Sequence, residues 1–214
     1  MMSRNPFAAA PAATAIAVAA LALAGCSHPL TEESVRELFD AADQAWLAGR
    51  TGDMCRLRSK DFHLDATDFL LARDRIVADL KEAEQVEADL AGSGAPQRGD
   101  HAALDLKEFC RMAYEGRQLG PRSTLARSDL RIAVDPDGRR ATVRVHYAIR
   151  QPVYQFADSS LGRGDVTEHQ DATRQSESDE ESVVIVGPDG DPVFASTQVT
   201  SRSFFTPPSR DSRL

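Results

Sequence analysis

Asp61, His63 and Asp65 place an imidazole two residues from a carboxylate on either side. On a β-strand all three side chains would share one face, and the carboxylates would raise the pKa of the histidine. Such a histidine could act as a general base, although a solvated surface cluster has the same pattern. Tyr114 and Tyr154 are further candidates, and we assign a catalytic role to none of these residues.

Tyr147 lies in a segment where apolar and polar residues alternate. It shares its face with valines and an isoleucine, which favours a place in the core or in a pocket wall over a catalytic role. The opposite face would carry His146 between Arg144 and Arg150. This basic stripe predicts either a solvated sheet face or a surface that docks an anion or a partner.

The remaining polar runs do not match an established metal or cofactor motif. The acidic segment 177–181 has no glycine for the sharp turn of a calcium loop, so we expect a solvated loop. The five histidines are scattered and no Cys-x-x-Cys occurs, which argues against a metal site. We therefore predict no cofactor. With 25 basic and 33 acidic residues the net charge is −8, which argues against a general nucleic-acid partner.

The start of the chain has the pattern of an export signal. Arg4 is followed by an uncharged, alanine-rich stretch that is short for a membrane span. It ends in Leu23-Ala24-Gly25-Cys26, which resembles the lipobox of bacterial lipoproteins. The resemblance implies cleavage of residues 1–25, a lipid on Cys26 and a membrane-tethered protein, whose Ser27 favours the outer membrane facing the periplasm in a Gram-negative host. A soluble secreted protein is the alternative.

Two cysteines remain after Cys26, namely Cys55 and Cys110. An even pair in an exported chain predicts a disulfide, because the compartments outside the cytosol are oxidising. Two buried free thiols are the alternative.

The elements that position these residues change character along the chain. After a tether over 26–30, helical spacing predicts a helix from Thr31 to Ala48 and a short one over Thr51–Arg58. Residues 61–65 alternate polar and apolar side chains and could form a brief strand or a turn. A third helix capped by Asp65 or Thr67 and a fourth from Asp100 would make the rest of 31–116 helical.

The second half of the chain follows a period of two. Two hairpins, with turns at 135–138 and 187–190, predict a β meander over 123–205 and a loose tail over 207–214. Helices followed by about four antiparallel strands predict a single α+β domain over 31–206.

This order of elements resembles the nuclear transport factor two-like superfamily, which includes ketosteroid isomerase. The resemblance implies a cone-like fold in which helices pack on a curved sheet and enclose a pocket. We therefore expect a lipid-anchored, non-enzymatic module that binds a small ligand or an envelope protein. The alternative is a ketosteroid-isomerase- or dehydratase-like enzyme that acts on a small apolar ligand.

Overall fold

A computed structural model describes residues 28–72, 75–92, 99–117, 123–152 and 172–207. They form a mixed α+β structure of four helices and six strands. The elements in chain order are α1 (Glu32–Leu47), α2 (Thr51–Arg56), β1 (Arg58–Leu70), α3 (Leu80–Ala91), β2 (Gly99–Asp105), α4 (Leu106–Arg117), β3 (Thr124–Val134), β4 (Arg140–Pro152), β5 (Thr173–Val186) and β6 (Pro192–Thr206).

The strands form one sheet in the order β2-β1-β6-β5-β4-β3. All neighbours are antiparallel except β1 and β6, which run parallel. The predicted α+β class is confirmed, whereas the count of about four strands is wrong. The two additional strands, β1 and β2, lie in the segment 31–116 that we expected to be mostly helical.

The error over β1 has a local cause. Phe62, Leu64 and Leu70 alternate with polar residues at the period of a strand, but Leu70 also fits a helical spacing that continues into α3. The expected caps Asp65 and Thr67 lie within β1. Asp79 is the actual N-cap of α3, and its side chain accepts a hydrogen bond from the Glu82 amide at 2.9 Å.

The fourth helix also begins later than predicted, because residues 99–105 pair with β1. Asp105, rather than Asp100, precedes its first turn. The Glu108 amide donates to Oδ1 of Asp105 at 2.8 Å, and the Asp105 amide donates to the Glu108 carboxylate at 3.3 Å. This reciprocal pair satisfies two amides at the start of α4.

The first helix agrees with its prediction. Thr31 is the N-cap and forms a capping box with Ser34, and Ala48 is the C-cap. Just before it, Leu30 is buried, and its amide donates to the Gly138 carbonyl at 2.7 Å. The segment before α1 is therefore fixed to the β3–β4 turn. Gly138 has a φ of +65°, and a Cβ there would lie 2.5 Å from Pro29.

Two apolar clusters hold the helices and the sheet together. The larger lies between α1 and one face of the sheet, which we call the inner face; Leu57, Leu106 and Phe109 also pack on it. A second cluster joins α3 to β6 through Phe204 and Val77. Within the described residues, no helix is long and apolar enough to cross a bilayer.

The cysteine pairing agrees with the prediction. Cys55 in α2 and Cys110 in α4 form a disulfide with a Cα–Cα distance of 5.8 Å. The bridge joins α2 to α4 beside the inner face. Cys26, the leader 1–25, Tyr154 and the tail 208–214 lie outside the described residues.

Candidate functional site

The inner face carries a polar network at its centre, in contact with α1. The hydroxyl of Tyr147 in β4 donates to Oδ1 of Asp43 in α1 at 3.0 Å. Arg127 in β3 lies opposite Tyr147 and forms ion pairs with Asp43, at 3.0 Å, and with Asp40. Tyr147 is 7% exposed, so this hydrogen bond lies at the edge of the apolar core.

Burial sets the protonation preferences of this cluster. Loss of water raises the pKa of Asp43, although the Tyr147 hydroxyl and the Arg127 guanidinium oppose the rise. Burial and the nearby carboxylates of Glu180 and Asp43 raise the pKa of Tyr147. Burial alone would lower the pKa of Arg127, but its hydrogen bond to Asp40 and the charge of Asp43 raise it.

Glu180 extends the network along β5. The Ser182 hydroxyl donates to its Oε1 at 2.7 Å, and Ser182 also bonds the Thr197 hydroxyl at 2.8 Å. Burial raises the pKa of Glu180, opposed by the Ser182 hydrogen bond and the charge of Arg58. Asp43 and Glu180 therefore both keep a proton to a higher pH than an exposed acid does.

Arg58 completes the inner group at the start of β1. Its guanidinium carbon lies 3.9 Å from the ring centre of Phe109, 5.1 Å from that of Phe62 and 5.3 Å from that of Phe194. Burial lowers the pKa of Arg58 to about 10, so the side chain remains a cation at neutral pH. The inner face thus combines a cation, aromatic rings and acids of raised pKa.

A second polar cluster lies farther along the same face. Asp68 of β1 forms an ion pair with Arg174 at 2.5 Å and accepts hydrogen bonds from Ser201 at 2.6 Å and Ser203 at 2.8 Å. The carboxylate of Asp68 is thus fully paired, although the buried Nε of Arg174 has no hydrogen-bond partner among the described residues, and Ser203 is 1% exposed. We regard this cluster as structural.

The opposite face of the sheet, the outer face, has a different arrangement. A shallow groove of about 470 Å³ is lined in part by Arg131, Arg144, His146 and Asp179. Arg144 binds Glu181 at 2.7 Å, and His146 lies between Asp179 at 3.0 Å and Glu177 at 2.9 Å. The hydrogen bond to Asp179, followed by that to Glu177, raises the pKa of His146 despite partial burial.

This face corrects the prediction for residues 177–181. The acidic run is part of β5, not a solvated loop before the hairpin, and alternation sends Glu177, Asp179 and Glu181 outward beside β4. These acids pair with Arg144 and His146 of the expected basic stripe. Glu180 points inward instead, and only the correct strand register could have revealed it.

The structure separates the catalytic candidates taken from the sequence. Asp61 and His63 are exposed, and Asp65 contacts Nε2 of His101 at 3.2 Å. Tyr114 is 58% exposed. Tyr147 alone among these described candidates joins the inner network. Arg58, Asp43, Arg127 and Glu180 were missed. Asp43 meets Tyr147 from 104 residues away and Arg127 meets Asp40 from 87 residues away, whereas Arg58 and Glu180 belong to strand segments that we did not predict.

No group of three or more histidine, cysteine or acidic side chains suited to a metal occurs among the described residues.

No family model matches the sequence. No curated protein matches it either. Solved structures with similar backbones include a proposed scytalone dehydratase from Novosphingobium aromaticivorans, with 9% identity, a TM-score of 0.48 and coverage of 79% of this chain and 82% of that one.

Two further similar structures are a proposed dehydratase of the NTF2-like family from Streptomyces avermitilis and a ketosteroid isomerase-like protein from Erwinia carotovora atroseptica. The first has 13% identity, a TM-score of 0.46 and coverage of 78% and 93%. The second has 10% identity, a TM-score of 0.44 and coverage of 79% and 94%. These similarities concern the backbone, and each name describes that neighbour.

Proposed function

We propose that this protein is a lipid-anchored module of the bacterial envelope that binds a small ligand on the inner face of its sheet. The observation that carries the binding proposal is the convergence of Asp43, Arg58, Tyr147 and Glu180 from four different elements. Burying polar groups costs free energy that a core of apolar side chains would avoid. A site that recognises a ligand explains why this cost is tolerated.

The chemistry of the site favours an amphipathic ligand. Phe39 and Phe194 form an edge-to-face pair at 5.0 Å, as do Phe62 and Phe109 at 5.5 Å, so the polar groups border an aromatic part of the core. The acids and the tyrosine offer hydrogen bonds to a polar group. A small molecule with one apolar ring and one polar end fits this combination.

The anchor proposal rests on the lipobox and gains a geometric consequence from the fold. Pro29 and Leu30 are fixed to the β3–β4 turn. Cys26 is two residues before His28, and an extended chain spans at most about 3.5 Å per residue. A lipid on Cys26 would therefore hold the β3–β4 turn close to the membrane surface.

Two measurements test these proposals separately. Palmitate labelling and mass spectrometry in the native host should show an acylated Cys26, and Cys26→Ala should release the protein from membranes. An unmodified Cys26 at the mature end would contradict the anchor.

For the binding proposal, native mass spectrometry of protein isolated from host membranes should show a bound small molecule. Tyr147→Phe should reduce its occupancy, whereas Arg144→Gln on the outer face should not. Equal occupancy in the two variants, or the absence of a bound molecule, would contradict the proposal.

A proton-transferring enzyme is the second candidate, and the raised pKa values of Asp43 and Glu180 favour it. Such an enzyme would move a proton on an apolar ketone, as a ketosteroid isomerase does. The test is deuterium uptake next to the carbonyl of a cyclic ketone in heavy water. Uptake that disappears in Asp43→Asn would favour the enzyme over the binding module.

A further inference from the structure

We infer that the ligand of the inner face carries a carboxylate and that Arg58 is the group that recognises it. This inference rests on the proposed function and specifies its ligand class. It concerns a residue that no pattern in the sequence distinguishes from the other arginines.

Of the inner-face arginines named above, Arg58 has no close anion among the residues that the structure describes. Among the described residues, no carboxylate oxygen lies within 4.0 Å of its guanidinium, whereas Arg127 pairs with Asp43 at 3.0 Å and Arg174 pairs with Asp68 at 2.5 Å. A cation removed from water costs free energy unless it is paired. Its unpaired charge therefore favours an anionic ligand.

The hydrogen bonds of Arg58 leave one edge of the guanidinium without a described partner. Nη1 donates to the Met54 carbonyl, but the buried Nε has no hydrogen-bond partner among the described residues. Nε and a terminal nitrogen form the edge that binds a carboxylate through two parallel hydrogen bonds. A planar carboxylate matches this edge better than a single hydroxyl.

Glu180 does not supply the missing anion. It is the acid whose charge acts on Arg58, but among the described residues it makes no ion pair within 4.0 Å, and it accepts a hydrogen bond from Ser182 instead. Burial also raises the pKa of Glu180, and the distance between the two groups weakens its effect on the Arg58 charge. A ligand carboxylate could offset this charge fully.

The disulfide fixes Arg58 before any ligand arrives. Met54, whose carbonyl accepts from Arg58, precedes Cys55, and Phe109, whose ring lies 3.9 Å from the guanidinium, precedes Cys110. The disulfide thus links the two helices whose residues Met54 and Phe109 contact the guanidinium of Arg58. Preorganisation of this kind reduces the entropy cost of binding.

The test compares two probes of nearly equal shape, 2-naphthylacetate and its neutral amide, 2-naphthylacetamide. Full-length protein from host membranes is placed in nanodiscs, and calorimetry measures both affinities against empty nanodiscs. A charge-assisted, two-bond contact predicts that the acid binds at least about tenfold more tightly than the amide. Arg58→Gln should abolish this preference, and Arg58→Lys should retain part of it.

Arg144→Gln is the matched control, because that arginine lies on the outer face and should leave the preference unchanged. Equal binding of both probes to the unaltered protein would overturn the inference and leave the proposed function intact. Failure of both probes to bind would overturn the inference, while native mass spectrometry decides the proposed function separately. The comparison on the unaltered protein does not depend on whether an Arg58 variant folds.

Discussion

The inner and outer faces of the sheet carry the same kinds of charged residue, but these differ in burial and in how completely their charges are paired. On the outer face, Arg144 and His146 each contact a carboxylate and remain near water. On the inner face, Arg58 is surrounded by aromatic rings, and burial raises the pKa values of Asp43 and Glu180. Paired charges near water are typical of a surface, whereas buried and incompletely paired groups are typical of a site.

A single strand supplies both faces. Along β5, Glu181 points outward to Arg144, while its neighbour Glu180 points inward toward Ser182. The difference between an ordinary surface acid and an acid of raised pKa is therefore one residue of register. The following predictions test this contrast, in order of decreasing effect.

The disulfide should have the largest effect, because it fixes the helices beside the inner face. The bridge spans 55 residues, and the chain-entropy model predicts a loss of about 4 kcal/mol in the free energy of unfolding for Cys55→Ser with Cys110→Ser. Urea denaturation measures the loss. The titration of His146 on the outer face should not change, and a loss below about 1 kcal/mol would contradict the expectation.

Tyr147→Phe should destabilise the protein by about 1–3 kcal/mol, because it leaves the buried Asp43 without its hydroxyl donor. Thermal or urea unfolding gives the value. Tyr114→Phe is the matched control, since that side chain is 58% exposed, and it should change stability by less than about 0.5 kcal/mol. Equal effects of the two variants would remove the distinction between inner and outer tyrosines.

Glu180→Gln should change how stability depends on pH. Burial raises the pKa of Glu180 above its ordinary 4.5, so the folded state holds its proton longer than the unfolded state does. In the unaltered protein, the contribution of Glu180 to the free energy of unfolding therefore decreases as the pH rises from about 4.5 through the folded pKa. Over that range, the free energy of unfolding of the variant should rise relative to that of the unaltered protein. Urea denaturation at several pH values would measure this difference. Glu181→Gln, which alters an outward acid, should not reproduce this trend.

His146→Gln should have the smallest effect. The two acids raise the pKa of His146 above its ordinary 6.5, so its stabilising contribution is complete below that pH and disappears as the pH rises through the folded pKa. We expect a loss of less than about 1 kcal/mol near pH 5.5 and none at high pH. A loss that is independent of pH would show that packing, and not charge, explains the effect.

The sequence could predict the elements whose signals are local. The N-cap Thr31 of α1, the glycine turns of both hairpins and the cysteine pair depend on near neighbours or on composition. The prediction for residues 58–70 was wrong, because apolar residues at the end of this strand also fit the helical spacing of the next element. The length of β5 was missed because a run of acids resembles a loop, although its outward acids find partners on β4.

The candidate site was harder to predict, because its members meet only in the folded sheet. The alternation of apolar and polar residues alone predicted that Tyr147 lies on the apolar face of its strand, which is the inner face. Asp43 could not be distinguished from the other acids of α1, since its partner is 104 residues away. The surroundings of Arg58 consist of rings from β1, β6 and α4, and only the ring of Phe62 in β1 is close to it in sequence.

The most direct test of the account is carboxyl-carbon NMR of the full-length protein as 2-naphthylacetate is added, together with the imidazole signals of His146. Binding on the inner face predicts saturable shifts of the Asp43 and Glu180 signals, with His146 unmoved. Shifts of His146 and Asp179 with unchanged inner carboxyls would place the ligand on the outer groove and contradict the account.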